Sequence, residues 1–258
     1  MRVVSPSAEI ITEANPLKRI ELCGRVCYKS EEKITDNSAE RFVAKLIERG
    51  HTSVLEHSRL LLTGEEADTV TNRLSHATGV NNTARLSRVH GKWDRLTINV
   101  RDYIALIPET PVAELASLTN ADDYMTVRFV CDRAIANELV RHRVFSFSQE
   151  STRYVSYRDG LTFVAPIPYE DRHVWFKAME HAECAYLALS EEGCSPQEAR
   201  NVLPLSTKTE LIMTGTLPHW NEMLRLRCAA SAHPQMRHLM TRLVTLKDFP
   251  KELKDTVK

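Results

Sequence analysis

The chain has 258 residues, enough for one large domain or two small ones, and its 43% hydrophobic and 26% charged residues exclude a disordered or fibrous protein. Lys+Arg and Asp+Glu both number 34, so no net field draws the chain to nucleic acid or membrane, and an anion site must come from local clustering. Six cysteines without a CxxC pair, no basic-then-apolar start and no apolar run near the roughly 20 residues that cross a bilayer predict a soluble, cytoplasmic protein.

In chain order, Met1 to Val4 reads as a short strand, and Asn15 followed by Pro16 reads as a helix start with Leu17, Ile20 and Cys27 on one face. Phe42, Val43, Leu46 and Ile47 predict a helix from about Asn37 to Arg49, stopped by Gly50. His51 to His57 is then a loop leading into a strand at Leu60 to Leu62. From 65 to 122 the pattern thins: a short helix near Ala67 to Leu74, polar sequence at Asn81 and Asn82, a strand at Leu96 to Val100, then Pro108 and Pro111. That stretch reads as an insertion with too little apolar content for a core of its own. Val127, Cys131, Ala134, Ile135 and Leu139 restore a helical period and predict a helix that delivers Arg141 at its end. Downstream, Trp175 to Leu189 predicts a helix ended by Gly193, and Ser195, Pro196 and Glu198 form a capping box for a short helix carrying Arg200. A strand at Leu211 to Thr214 and helices at Trp220 to Ala230 and Met236 to Leu246 complete an α/β or α+β pattern.

The densest chemistry is Arg141-His142-Arg143, then seven residues, then Ser151, with Arg153 and Tyr154 following. Guanidinium forks interleaved with Ser146, Ser148, Gln149 and Ser151 suit phosphate oxygens, so a phosphorylated nucleotide is the natural guest. Taken alone, an RHR triplet is most often a solvated basic turn. His51, Glu56 and His57 lack the HExxH spacing of a zinc site. Cys228 reads as a small apolar residue, Ser151 as a binding hydroxyl, and Trp93, Trp175 and Trp220 at least as readily as core residues as stacking platforms.

The whole string RHRVFSFSQESTRY resembles the signature of the flavin-dependent thymidylate synthases. RVCYKS at 25–30, GHTSVLEH at 50–57, ELVRHR at 138–143, ARNVLPLSTKTE at 199–210 and LRLRCAASAH at 224–233 resemble the same family in the same order. The resemblance covers nearly the whole chain except about 65–122. It implies a single α/β (α+β) domain with a mixed sheet and flanking helices, assembled as a homotetramer. It implies reductive methylation of dUMP to dTMP with FAD as cofactor and methylenetetrahydrofolate and NADPH as co-substrates, no nucleic acid being required. By position, Arg141, His142 and Arg143 would contact flavin, Arg141 also reaching the dUMP phosphate, and Ser53 would touch FAD from a neighbouring subunit. Glu138, Gln149, Glu150, Ser151, Thr152, Arg153 and Arg200 would surround dUMP, with Gln149 also on the flavin side. Thr216 and Glu222 stand where some relatives place asparagines near the flavin, and Ser148 where many have Asn. Arg227 matches the arginine that favours ionisation of the uracil ring at N3. The rival expectations are a non-catalytic nucleotide- or RNA-binding homologue and a degenerate one that has lost FAD.

Overall fold

The computed structural model describes residues 1–77, 85–89, 92–167 and 172–257. β1 (Arg2–Val4) and β2 (Ser7–Ile10) lead into α1 (Pro16–Arg25), whose cap is the expected one: the Asn15 side chain accepts from the backbone N–H groups of Leu17 and Lys18. α2 (Ser38–Glu48) is followed by Gly50 at φ 71°, a left-handed conformation that glycine adopts without strain. A 3-10 turn at Thr52–His57, where a plain loop is expected, opens onto β3 (Arg59–Thr63). α3 (Gly64–His76), β4 (Arg85–Val89), β5 (Lys92–Asn99) and α4 (Val100–Leu106) follow, while Asn81, Asn82 and the Trp93 side chain lie outside the described residues. Then come β6 (Tyr124–Asp132), α5 (Arg133–Leu139), β7 (Ser146–Gln149), β8 (Thr162–Val164), α6 (His173–Glu191) and α7 (Pro196–Ala199). β9 (Lys208–Thr216), α8 (Leu217–Arg227) and α9 (Pro234–Val244) end the series.

The helix expected from Val127 onward is corrected: residues 124–132 are a strand, and helix begins only at Arg133. Tyr124, Thr126, Val127, Phe129 and Val130 are strand formers, and β6 is paired on both edges and buried on both faces. Its apolar residues therefore do not alternate, and a helical spacing arises by coincidence. Asp132 makes the switch, its side chain accepting from the Ile135 N–H 2.8 Å away.

The principal sheet runs β2-β6-β9-β7 and is antiparallel throughout; β3-β5-β4 form a second antiparallel sheet, and among the described residues the parallel pairing is confined to β1 and β8. The architecture is α/β as expected, but the expected mixed sheet is corrected: among the described residues no single sheet combines the two strand directions, because the parallel pair β1-β8 stands apart from the two antiparallel sheets. One core packs Val127, Phe129, Leu211 and Met213 of the principal sheet against Trp220 and Leu239. At Gly215 a Cβ would lie 2.3 Å from the Phe145 ring, so the absent side chain is what seats that ring against the sheet.

A second core joins Leu17, Ile20 and Val43 of the first two helices to Leu62, Val70, Leu96, Ile98, Leu106 and Leu115. The described residues of the 65–122 stretch thus share a core with α1 and α2 and form none of their own, each buried side chain contributing about 1.5–3 kcal/mol.

Candidate active site

Beyond Leu139 the chain turns tightly, with the His142 N–H donating to the Leu139 carbonyl (3.1 Å) and the Phe145 N–H donating to the His142 carbonyl (3.1 Å). Phe145 is buried, its ring meeting Trp220 edge-on at 5.0 Å between centroids. This anchor leaves Arg141 and Arg143 exposed on either side of a half-buried His142. Among the described residues the side chains of Arg141, Arg143 and Arg200 have no hydrogen-bond or ion-pair partner.

Arg227, the last residue of α8, reaches His142 of this turn from 85 positions away. Its Nη1 donates to Glu138 Oε2 (2.8 Å), its Nη2 to the Glu138 carbonyl (3.4 Å) and its Nε to His142 Nε2 (3.0 Å). A guanidinium only donates, so His142 Nε2 presents a lone pair and the imidazole is neutral with its proton on Nδ1. Burial, and then the Arg227 charge, hold the His142 pKa below its ordinary value, with Glu222 opposing. Glu138, His142 and Arg227, which the sequence marks separately, thus form one contact group. Glu222 is exposed on α8, and Thr216 is buried at the start of that helix.

The segment after β7 carries the other arginine. The Ser151 N–H donates to the Cys27 carbonyl (3.0 Å), and Ser151 Oγ accepts from the Arg153 N–H (3.3 Å). Arg153 lies over the Tyr154 ring at 5.3 Å, and its Nε donates to Gln197 Oε1 (3.0 Å) on α7. Arg200 caps that same helix, so Arg153 and Arg200 belong to one neighbourhood. Gln149 Nε2 donates to Thr209 Oγ1 (3.2 Å), while Glu150 and Thr152 are buried at 3% and 7% exposure. Ser53 is exposed on the 3-10 turn.

That turn is stapled from below. His57 is fully buried, its Nδ1 2.7 Å from Thr214 Oγ1 and its Nε2 2.9 Å from Ser148 Oγ. Thr214 continues to Thr126 Oγ1 at 2.9 Å, and Glu56 accepts from Ser146 Oγ (2.8 Å) and pairs with Arg101. Burial pushes His57 down to about 3, so the ring is neutral and serves as a strut. Among the described residues no group of three His, Cys, Asp or Glu could hold a metal ion. Cys228 is half-buried, and burial pushes its thiol up, away from the thiolate a nucleophile needs. Sequence reading also missed Tyr157, Lys208 and Glu210 behind the arginine segment; the signal for the latter two is the charged and polar start of the otherwise apolar β9, and Tyr157, between β7 and β8, carries none.

The family described as "Thymidylate synthase complementing protein" matches this chain over residues 9–73 and 122–250. The chain belongs to this family. The match passes over residues 74–121 and contains every site residue named above except Arg101. A flavin-dependent thymidylate synthase of Geobacter sulfurreducens is 36% identical over 119 residues, covering 44% of this chain and 51% of that protein. One from Mycobacterium tuberculosis is 25% identical over 240 residues, covering 85% of this chain and 70% of that protein. The match therefore spans about half the length of the first relative. Among solved structures, thymidylate synthase X from Helicobacter pylori with FAD and dUMP overlaps at 18% identity and TM-score 0.46, covering 98% of this chain and 99% of that one. A UMP/dUMP methylase from Streptomyces cacaoi bound with 5-Br dUMP overlaps at 19% identity and TM-score 0.45, covering 95% and 91%. Membership in the thymidylate synthase complementing family rests on the sequence match. Among the described residues no helix is long and apolar enough to cross a membrane.

Proposed function

We infer that this chain is a flavin-dependent thymidylate synthase, converting dUMP to dTMP with methylenetetrahydrofolate as one-carbon donor and NADPH as reductant. The observation that carries the reading is the convergence of Arg227 with Glu138 and His142 beside the exposed Arg141 and Arg143. Two partnerless guanidinium groups on a turn anchored by Phe145 fit the pyrophosphate of FAD, and Ser53 stands on a turn held rigid by His57. FAD when bound supplies hydride chemistry that no side chain offers.

The chain's own residues bind, orient and polarise. Arg153 and Arg200 grip the nucleotide phosphate from the α7 side, joined by Arg141, and Ser151 and Gln149 add neutral donors. Arg227 keeps its proton at any working pH, so its guanidinium at the N3/O4 side of the uracil stabilises the ring anion and drives electron density toward C5. Glu138 and the neutral His142 hold that guanidinium in place, since each offers it an acceptor. Glu222, whose charge acts on His142, faces the flavin from α8, and Thr216 serves the flavin from the start of that helix. The assembly is a homotetramer in which Ser53 serves a neighbouring subunit's flavin, and six free cysteines suit a reducing cytoplasm.

The test is direct. The purified protein should be yellow, with a band near about 450 nm that NADPH bleaches under anaerobic conditions, and should form dTMP from dUMP and methylenetetrahydrofolate. A colourless protein that makes no dTMP after reconstitution with FAD would overturn the reading.

A further inference from the structure

Glu150 lies one residue before Ser151, inside the segment expected to surround the nucleotide, yet its carboxylate faces the opposite way. It is 3% exposed and both its oxygens are filled from within the protein. Oε1 accepts from the Tyr157 hydroxyl (2.8 Å), and Oε2 accepts from Lys208 Nζ (3.0 Å) and the Glu210 N–H (3.2 Å). The Glu150 N–H in turn donates to the Glu210 carbonyl (2.8 Å). One residue thus joins the first and seventh positions of the 151–157 segment to β9.

The mount behind it is electrostatically closed. Lys208 bridges the Glu150 and Glu210 carboxylates, and Glu210 also pairs with Lys29 (2.7 Å) and Arg128. Lys29 sits at φ 49°, a strained conformation for a residue with a side chain, at the end of the RVCYKS segment, and two residues earlier the Cys27 carbonyl receives the Ser151 N–H. Four separate stretches of chain therefore meet at the root of the segment that bears Ser151 and Arg153. Lys208 Nζ and the Glu210 N–H only donate, so the oxygen that faces them must accept, whereas the Tyr157 hydroxyl on the other oxygen can donate or accept.

We propose that Glu150 is a positioning residue, which does not touch the nucleotide but locks the 151–157 segment to β9 so that Ser151 and Arg153 meet the phosphate in a fixed geometry. The proposal rests on the functional reading above and replaces the expectation that the Glu150 side chain contacts dUMP. A fixed loop spares the nucleotide the ordering of its own binding site, and loosening it weakens binding without altering the reacting groups.

The experiment measures dTMP formation by Glu150→Ala, Glu150→Gln and Tyr157→Phe, with hydrogen exchange of the Ser151, Tyr154 and Val155 amides on the same flavin-loaded proteins. Glu150→Ala is expected to raise the KM for dUMP at least about ten-fold, with kcat within about two-fold and the KM for NADPH unchanged. The amide of Glu150→Gln still accepts from Lys208 and should recover most of the loss, and Tyr157→Phe should raise KM a few-fold. A KM for dUMP equal to that of the wild type in all three variants, or a fall in kcat at unchanged KM, would overturn the proposal. Should Glu150→Ala fail to fold, Tyr157→Phe decides: a raised KM for dUMP with faster exchange of the three amides supports the proposal, and both unchanged overturn it. If the wild-type chain forms no dTMP, the functional reading falls by itself and exchange decides the clamp: at least ten-fold faster exchange of the three amides supports it, and unchanged exchange refutes it.

Discussion

Replacing Arg227 with alanine separates the cost in stability from the cost in catalysis. The guanidinium and the Glu138 carboxylate are 17% and 31% exposed, so their ion pair is screened by water. It contributes about 1 kcal/mol or less. Removing it frees a carboxylate that solvent can reach, and a domain of this size should melt only about 2–4 °C lower. The transition state loses more, because a fixed charge aimed at a developing anion is typically worth about 2.7–4 kcal/mol, a factor of 10² to 10³ in kcat. The decisive measurement is dTMP formation at saturating dUMP by a variant whose visible spectrum shows full FAD occupancy. His142 supplies an independent readout: with the neighbouring positive charge gone, its depressed pKa should rise, as followed by NMR. Full activity in the flavin-loaded variant would remove Arg227 from the mechanism.

Three further outcomes are expected. Arg153→Ala should weaken dUMP binding about ten-fold to a hundred-fold, the worth of a charge-assisted phosphate contact, as measured by calorimetry. Because His57 is held at about 3 in the folded chain against an ordinary 6.5, only the unfolded chain takes up its proton between those values. That contribution to stability is complete above pH 6.5 and is lost at up to about 1.4 kcal/mol per pH unit as the pH falls toward 3. Urea unfolding at pH 6.5 and 4.5 measures the loss, and a charged His57 in the folded protein at pH 5 would contradict it. Gly215→Ala forces the Phe145 ring away from β9 and should cost about 1–3 kcal/mol, lowering the melting temperature by several degrees and disturbing the turn that carries Arg141 and Arg143.

Much of the helical framework was legible because its signals are local: Asn15 and the Ser195 to Glu198 box cap the helices they announce. β6 was not, because a strand covered on both faces carries no alternation, and Val127 and Cys131 fall in step with Ile135 and Leu139 of the following helix. The arginine turn could be read from its spacing, while the His57 strut could not, since Ser148 and Thr214 stand 91 and 157 positions away. Glu150 shows a different limit. Glu150 and Thr152 are buried while Arg153 beyond them is exposed, and a motif read as a continuous string does not say which of its side chains turn inward; on the proposal above, Glu150 supports the nucleotide's residues from within.

The strand order of the principal sheet has a consequence during synthesis. β9 lies between β6 and β7, yet it is made after both. Some 65 residues must emerge from the ribosome after β7 before their shared partner exists, an interval of about 3–13 s at ordinary elongation rates. Throughout it, the nascent chain carries unpaired strand edges and an uncovered Phe145, a template for association with other chains. Yield on overexpression should therefore depend on how quickly ribosomes traverse 150–216, and slowing them there would favour aggregates over enzyme.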